Sequence, residues 1–229
     1  MLIDAAKADL EVSNRDGSTA LILAAGKGRS ACLQALLDAK ADIDAVNKEG
    51  NTATIMAARE GHTACLQRLL DAKADAAAAN NKGCTALLLV ASIGNAECVQ
   101  LLLDAKRGSD ARSQKSGIAT MVAASNGHTT CLQLLLAAKA DVKAAYDGDT
   151  ALILAANHGH VSCLQLLLDA KADISVVNRN GNTGLMLAAG KDHTQCVQLL
   201  LGAEANADAK SQSGNSAVIT AANASHTAC

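Results

Sequence analysis

The stretch GDTALILAANHGHVSCLQLLLDAKADISVVNRN, residues 148–180, is rewritten along almost the whole chain; residues 17–49 read GSTALILAAGKGRSACLQALLDAKADIDAVNKE. Gly17, Gly50 and Gly83, and then Gly148, Gly181 and Gly214, fall 33 residues apart. A fixed period of this length marks a tandem array, in which each unit is one supersecondary element that buries its apolar face only against its neighbours. The chain, read as one domain over 1–229, divides into full repeats at 17–49, 50–82, 83–115, 116–147, 148–180 and 181–213, with partial repeats at 1–16 and 214–229. Both ends fall inside a repeat and neither shows an obviously polar outer face, so the chain is expected to be a piece of a longer array.

Within a repeat the local chemistry predicts two short helices. Thr19, Thr52, Thr85, Thr150, Thr183 and Ser216 follow the opening glycine by two residues and are placed to N-cap a helix by accepting a backbone N–H. A short apolar run then ends in Ala-Ala, as at Ala24–Ala25 and Ala155–Ala156, where small side chains let neighbouring helices approach. After a Gly-His turn or a variant of it, Cys163, Leu164, Leu166, Leu167 and Leu168 show the i, i+3, i+4 spacing of a helix with one buried face. Isolated helices below about 12–15 residues rarely hold in water, so stacking has to stabilise them. The predicted fold is all-α, a solenoid of stacked helix-turn-helix repeats joined by turn- or hairpin-like loops. With one Tyr and no Phe, Trp or Pro, its core has to come from Leu, Ile, Val, Met, Ala and Cys.

The repeat resembles the ankyrin repeat. The family pattern G-x-T-P-L-H-x-A-A, then G-H, V-x-x-L-L and G-A-D, appears here as Gly148, Thr150, Leu152, Ala155, Ala156, Gly159, His160, Leu164, Leu167 and Ala172-Asp173. There are departures. The Pro of T-P-L-H is Ala, or Gly at Gly184, and its His is Ile22, Leu88, Ile153 or another residue. That removes a favourable first-turn Pro and the polar bonding that the family's His provides. The Gly of G-A-D is Lys40, Lys73, Lys106, Lys139 and Lys171, and a lysine in a left-handed cap costs on the order of 1–2 kcal/mol relative to Gly. Irregularities gather in the middle: Arg107-Gly108-Ser109 replaces Ala-Asp-Ile, Ser116-Gly117-Ile118 replaces Gly-x-Thr, and the connector 142–147 is one residue short. Repeat 116–147 thus lacks its Thr cap. Drift in loops is one reading; a local bend, or a low-stability joint that opens first, is the other.

The net charge is −2 without a basic stripe, so no nucleic-acid or membrane partner is expected. No apolar run approaches the ~18 residues of a membrane helix, and the start, with Asp4 and no basic region, is unlike a signal peptide. Cys32, Cys65, Cys98, Cys131, Cys163, Cys196 and Cys229 share one repeat position. Stacked helices lie roughly 8–10 Å apart, whereas a disulfide needs Cα atoms within about 7 Å. These cysteines therefore read as reduced, buried small hydrophobes, which implies an intracellular, cytoplasmic chain. His62/Cys65, His128/Cys131, His160/Cys163, His193/Cys196 and His226/Cys229 put two possible zinc ligands on one helical face. The repeat itself asks for His at the turn and a small hydrophobe in the core, so the spacing is inherited from the fold, and no metal or other cofactor is expected. His158 reads as an extra surface residue and Cys84 as an exposed, inert thiol near a turn tip. The sequence has no Gly-rich phosphate loop after a strand, no nucleophile elbow and no recurring carboxylate pair, and no enzyme activity is expected.

What remains is a surface. The resemblance implies a concave groove, made by the turn tips and the exposed side of each first helix, that binds another protein. Residues at those positions change from repeat to repeat: Arg15, Asp16 and Ser18; Lys48, Glu49, Asn51, Arg59 and Glu60; Asn81, Lys82, Cys84, Ser92 and Ile93. They continue as Gln114, Lys115, Gly117, Ser125 and Asn126; Tyr146, Asp147, Asp149, Asn157 and His158; and Arg179, Asn180, Asn182 and Lys191. Drift at solvated positions produces the same variation. Tyr146 is the only aromatic residue and falls on a tip, and Tyr and Arg are enriched in interface hot spots. Arg15, Lys48, Lys82, Lys115 and Arg179 put a cation on most tips, which suits an acidic partner segment, while Asp16, Glu49, Asp147 and Asp149 work against it. The expectation is a monomeric, non-enzymatic scaffold for a partner protein. The alternative is the regulatory or targeting segment of a larger multidomain protein, a signalling enzyme, ubiquitin-ligase adaptor or effector whose active domain lies outside this chain. A zinc- or redox-responsive protein using the Cys/His rows is the outsider.

Overall fold

In the computed structural model, which describes residues 9–105 and 114–224, the hydroxyl caps are where the sequence places them. Thr19, Thr52, Thr85, Thr150, Thr183 and Ser216 each hold an extended backbone and accept from the N–H three residues on. The chain divides into two compact units, residues 1–110 and 111–229. The first contains α1 (Ala20–Gly26), α2 (Ser30–Asp38), α3 (Ala53–Arg59), α4 (Thr63–Asp71), α5 (Ala86–Ile93) and α6 (Ala96–Ala105). Here α1 packs on α3 and α3 on α5, while α2 packs on α4 and α4 on α6, so first and second helices form two rows. Ile22, Leu33, Ile55, Leu66, Leu69 and Leu102 are fully buried between them.

The second unit contains α7 (Gln114–Ser125), α8 (Thr129–Ala137), β1 (Ala145–Tyr146), β2 (Asp149–Thr150), α9 (Ala151–Asn157), α10 (Val161–Asp169), α11 (Gly184–Gly190), α12 (Thr194–Gly202) and α13 (Ala217–Asn223). Its two rows are α7, α9, α11 and α13, and α8, α10 and α12. The alanine pairs do what their size allows: Ala155 and Ala156 are wholly buried where neighbouring helices meet.

Five second helices, α2, α4, α8, α10 and α12, close on a strained residue. Lys40, Lys73, Lys139 and Lys171 hold left-handed φ values of 64°, 68°, 60° and 61°, and Glu204 one of 65°; Lys106 lies outside the described residues. The strain is offset by paired closing bonds, such as Lys40 N–H to the Leu37 carbonyl and Ala41 N–H to the Leu36 carbonyl, both 3.0 Å, which satisfy carbonyls left over at the helix end.

Four connectors are built on an asparagine side chain. Asn14, Asn47, Asn80 and Asn178 each use Oδ1 to accept from the backbone N–H groups two and four residues on. The short connector solves the same turn differently. Ala145 pairs with Thr150 and Tyr146 with Asp149, leaving Asp147 and Gly148 as a two-residue turn with φ of 60° and 84°, the signature of a type I′ hairpin. Tyr146 therefore stands where Asn80 and Asn178 stand in their connectors.

Three expectations need correction. Gly117, placed among the variable surface positions of the tips, is helical together with Ser116 and Ile118, inside an α7 of 12 residues, where the Thr120 hydroxyl donates to the Ser116 carbonyl at 3.0 Å. A Cβ on Gly117 would lie 2.4 Å from that of Ala144, so only glycine fits. Arg107-Gly108-Ser109 lies outside the described residues. Cys65, Cys98, Cys131, Cys163 and Cys196 are at most 1% exposed, but Cys32 is exposed. Within each unit the preceding second helix covers the thiol, as Thr63 of α4 covers Cys98 at 3.3 Å and Thr129 of α8 covers Cys163 at 3.6 Å, and α2 has no such helix before it among the described residues. Cys229 lies outside them. Cys84 is half-buried rather than exposed, because its N–H is held by Asn80 Oδ1 at 2.9 Å.

Burial pushes the five covered thiols above the ordinary thiol range. Their folded pKa lies above the unfolded value, so at alkaline pH the native state binds more protons than the unfolded chain. This contribution is fully present below the unfolded thiol's pKa, about 8.5, and is lost as pH rises through and above it. Urea melts at about pH 7.5 and 9.5 should show lower stability at the higher pH, and Cys131→Val with Cys163→Val should reduce that difference. Lys73→Gly and Lys171→Gly should each raise stability by about 1 kcal/mol, read as a higher urea midpoint at unchanged m. Thr54 is 1% exposed and its hydroxyl has no hydrogen-bond partner among the described residues, so Thr54→Val should also stabilise, by about 1 kcal/mol.

Candidate functional site

The tips are clasped to one another by backbone bonds. In the first unit the Lys48 N–H donates to the Asp16 carbonyl and the Asn81 N–H to the Glu49 carbonyl, each at 3.0 Å. Side chains add to this: Asn81 Nδ2 donates to the Lys48 carbonyl at 3.0 Å and Asn80 Nδ2 to Asn51 Oδ1 at 2.9 Å. Asn51 is thus 1% exposed, not an exposed tip residue, and its Nδ2 donates to Glu49 Oε2. Ser18, 6% exposed, is likewise turned inward.

Arg15, Asp16, Lys48, Glu49, Lys82, Arg59, Glu60 and Ser92 are exposed, on the tips or at the ends of α3 and α5. The Arg59 Nε donates to Glu60 Oε1 at 3.1 Å, with Nη1 3.9 Å from Glu49 Oε2. Between tips and first helices lies a concave pocket of about 440 Å³ whose lining includes Asp16, Lys48, Glu49 and Arg59 at the rim and Leu23 and Met56 on the floor.

That floor escaped the sequence analysis. Leu21, Ile22, Ala24 and Ala25 are the buried residues of α1, and Leu23 points off that face at 37% exposure. Met56 and Leu89 repeat its position in the first unit, and Val122, Leu154 and Leu187 in the second, all half-buried. Searching for residues that vary between repeats passes over them, because each is apolar. The available signal was a large apolar side chain at the one first-helix position the core does not need.

In the second unit Tyr146 is 73% exposed. Asp147 of its turn is ion-paired with Arg179 of the next tip, whereas the following tips are joined by the Gln212 N–H to the Asn180 carbonyl at 3.0 Å. Asp149 and Asn182 are half-buried at the base of their tips, and one oxygen of Asp149, Oδ1, is buried without a partner. Asn126 and Lys191 are exposed at helix ends, and Asn157 is half-buried. His158 is exposed, its Nδ1–H donating to the Leu154 carbonyl at 3.0 Å. The side chain of Lys115 lies outside what the structure describes.

The turn histidines are committed to the repeat before them. His160 Nε2 donates to the Ser125 carbonyl at 2.9 Å and His193 Nε2 to the Asn157 carbonyl at 3.3 Å. Among the described residues no group of three or more His, Cys, Asp or Glu side chains is arranged around a common metal position. No described helix is long and apolar enough to cross a membrane.

Solved structures share this architecture. The human ASB11 ankyrin repeat domain is similar at 26% identity, over 89% of this chain and 92% of that one, with a TM-score of 0.80. The ankyrin repeat domain of Bcl-3, a unique member of the IkappaB protein family, matches at 24% identity over 90% of this chain and 95% of that one, with a TM-score of 0.76; at that identity the likeness shows the fold. No curated protein matches the chain by sequence. A family model described as ankyrin repeats in three copies matches residues 1–78, 21–115, 61–145, 87–178 and 152–229. Capped helix pairs, tips clasped in rows and family matches that overlap from the first residue to the last lead to one assignment: the chain belongs to the ankyrin repeat family.

Proposed function

We propose that this chain is a non-enzymatic scaffold that binds a partner protein through the concave side of its tips and first helices. Ankyrin repeats are a general protein–protein interaction module. The observation that carries the specific reading is the pocket in residues 1–110, with its apolar floor at Leu23 and Met56 under a rim of charged tips. An apolar floor inside a polar rim is the anatomy of a protein-binding surface, and tips held by backbone bonds lose little freedom on binding, which spares ordering entropy. The reduced thiols of the core suit a chain that works inside the cell.

Capture from cell lysate on three baits tests this: the native chain, a chain with Leu23→Asn and Met56→Gln, and a control with Gln133→Glu on the exposed face of α8. All three must first show the same helical circular dichroism and urea midpoint. Proteins retained by the native and control baits should fall by about tenfold on the groove variant, the effect of losing about 1.4 kcal/mol of contact. Equal retention on all three would overturn the groove as the binding face.

A further inference from the structure

The chemistry of the groove in residues 1–110 narrows what fills it. Asp16, Lys48, Glu49 and Arg59 line the pocket, and Arg15, Lys27, Glu60 and Lys82 are exposed on the same tips and first-helix ends, so five cations stand against three carboxylates. Glu60 is held by Arg59, and Glu49 is held by Asn51 Nδ2 at 3.0 Å and lies 3.9 Å from Arg59. Arg59 thereby occupies two of the three carboxylates. Asp16 alone is left against Arg15, Lys27, Lys48 and Lys82, none of which has a carboxylate within ion-pairing distance among the described residues.

Their placement is fixed rather than incidental. Lys48 is tied through its backbone to the Asp16 carbonyl, and Asn81, beside Lys82, to the Glu49 carbonyl, so the tip cations are held in a row. Lys27 is the C-cap of α1, the place that Glu60 takes after α3. Beneath this row, Leu23 and Met56 present apolar surface to the same pocket.

We infer that the occupant is an acidic amphipathic segment of the partner protein, whose apolar side chains cover Leu23 and Met56 while its carboxylates meet Arg15, Lys27, Lys48 and Lys82. The inference rests on the groove reading above and adds the chemistry of the partner. A nucleic-acid strand fits less well, because a phosphate backbone gains nothing from an apolar floor and meets Asp16 at the pocket rim.

The test uses a displayed library of random peptides about fourteen residues long, selected against the full chain. Enriched peptides should carry more Asp and Glu than Lys and Arg, together with large apolar residues. Binding of a selected peptide, followed by fluorescence anisotropy, should weaken about tenfold in Arg15→Glu with Lys48→Glu, tighten in Asp16→Asn, and weaken as salt rises from about 0.05 to 0.5 M. Leu23→Asn with Met56→Gln should weaken it as well. If neutral or basic peptides are enriched and depend on Leu23 and Met56 but not on the cations, the groove reading stands and the acidic partner is overturned. If no peptide is enriched, or binding ignores both variant pairs, both fall. A single-stranded oligothymidine that binds as tightly as the selected peptides and needs the cations but not Leu23 would replace the protein segment with nucleic acid and overturn the inference.

Discussion

A helix of seven residues, the length of α1, α3, α9, α11 and α13, leaves most of its backbone groups without partners inside the helix. It does not persist alone in water. Everything else in this chain serves to hold such helices in place. A threonine or serine hydroxyl takes one free N–H at the start, and the buried alanine pair lets the next helix come close enough to cover the apolar face. Because each repeat supplies the missing wall of its neighbour, stability is shared between neighbours rather than stored within a repeat.

The tips carry this dependence outward. In four connectors an asparagine side chain that accepts two backbone N–H groups folds the loop on itself, and backbone bonds tie tips to one another. The result is a row of polar side chains at fixed spacing, which suits recognition better than free loops. The hairpin at Asp147-Gly148 departs from this. With tyrosine in the asparagine's place, the turn is made by left-handed backbone at both residues, and the link to the next tip is the ion pair between Asp147 and Arg179. An exposed ion pair contributes only about 0–1 kcal/mol and is screened by salt. This tip is consequently the one in the second unit whose link to its neighbour depends most on ionic strength.

What the sequence made legible follows from how local each interaction is. The threonine caps and the strained lysines were readable because cap and helix are adjacent in the chain. The burial of Asn51 was not, because its partner Asn80 lies in the following repeat and a variable polar residue between glycine and threonine looks like an exposed one. Cys32 breaks the cysteine row for the same reason: its environment is set by a neighbour, not by its own repeat. The short connector was visible as a missing residue, but the way the backbone closes the turn was not. Gly117 falls at a tip position of the repeat pattern, yet without the Gly-x-Thr turn the helix begins earlier and takes it in. The apolar groove floor at Leu23 and Met56 is not marked by variation between repeats, since its position is apolar in every full repeat, and a binding surface can also be made of what is constant.

The recurrent histidine and cysteine gain a physical role from the same constraint. A short first helix ends with carbonyls that its own backbone cannot satisfy. At Ser125 and Asn157 the histidine of the next repeat reaches back and donates Nε2–H to that carbonyl. The turn glycine of the earlier repeat makes room for the ring, since a Cβ on Gly127 or Gly159 would lie 2.7 Å from the imidazole of His160 or His193. Three residues further on, the cysteine turns into the core, where burial holds its proton. The ring nitrogen and the thiol thus each have a part in the fold that calls for no metal. The spacing that suggests zinc chemistry is explained by helix ends, each finished by the repeat that follows.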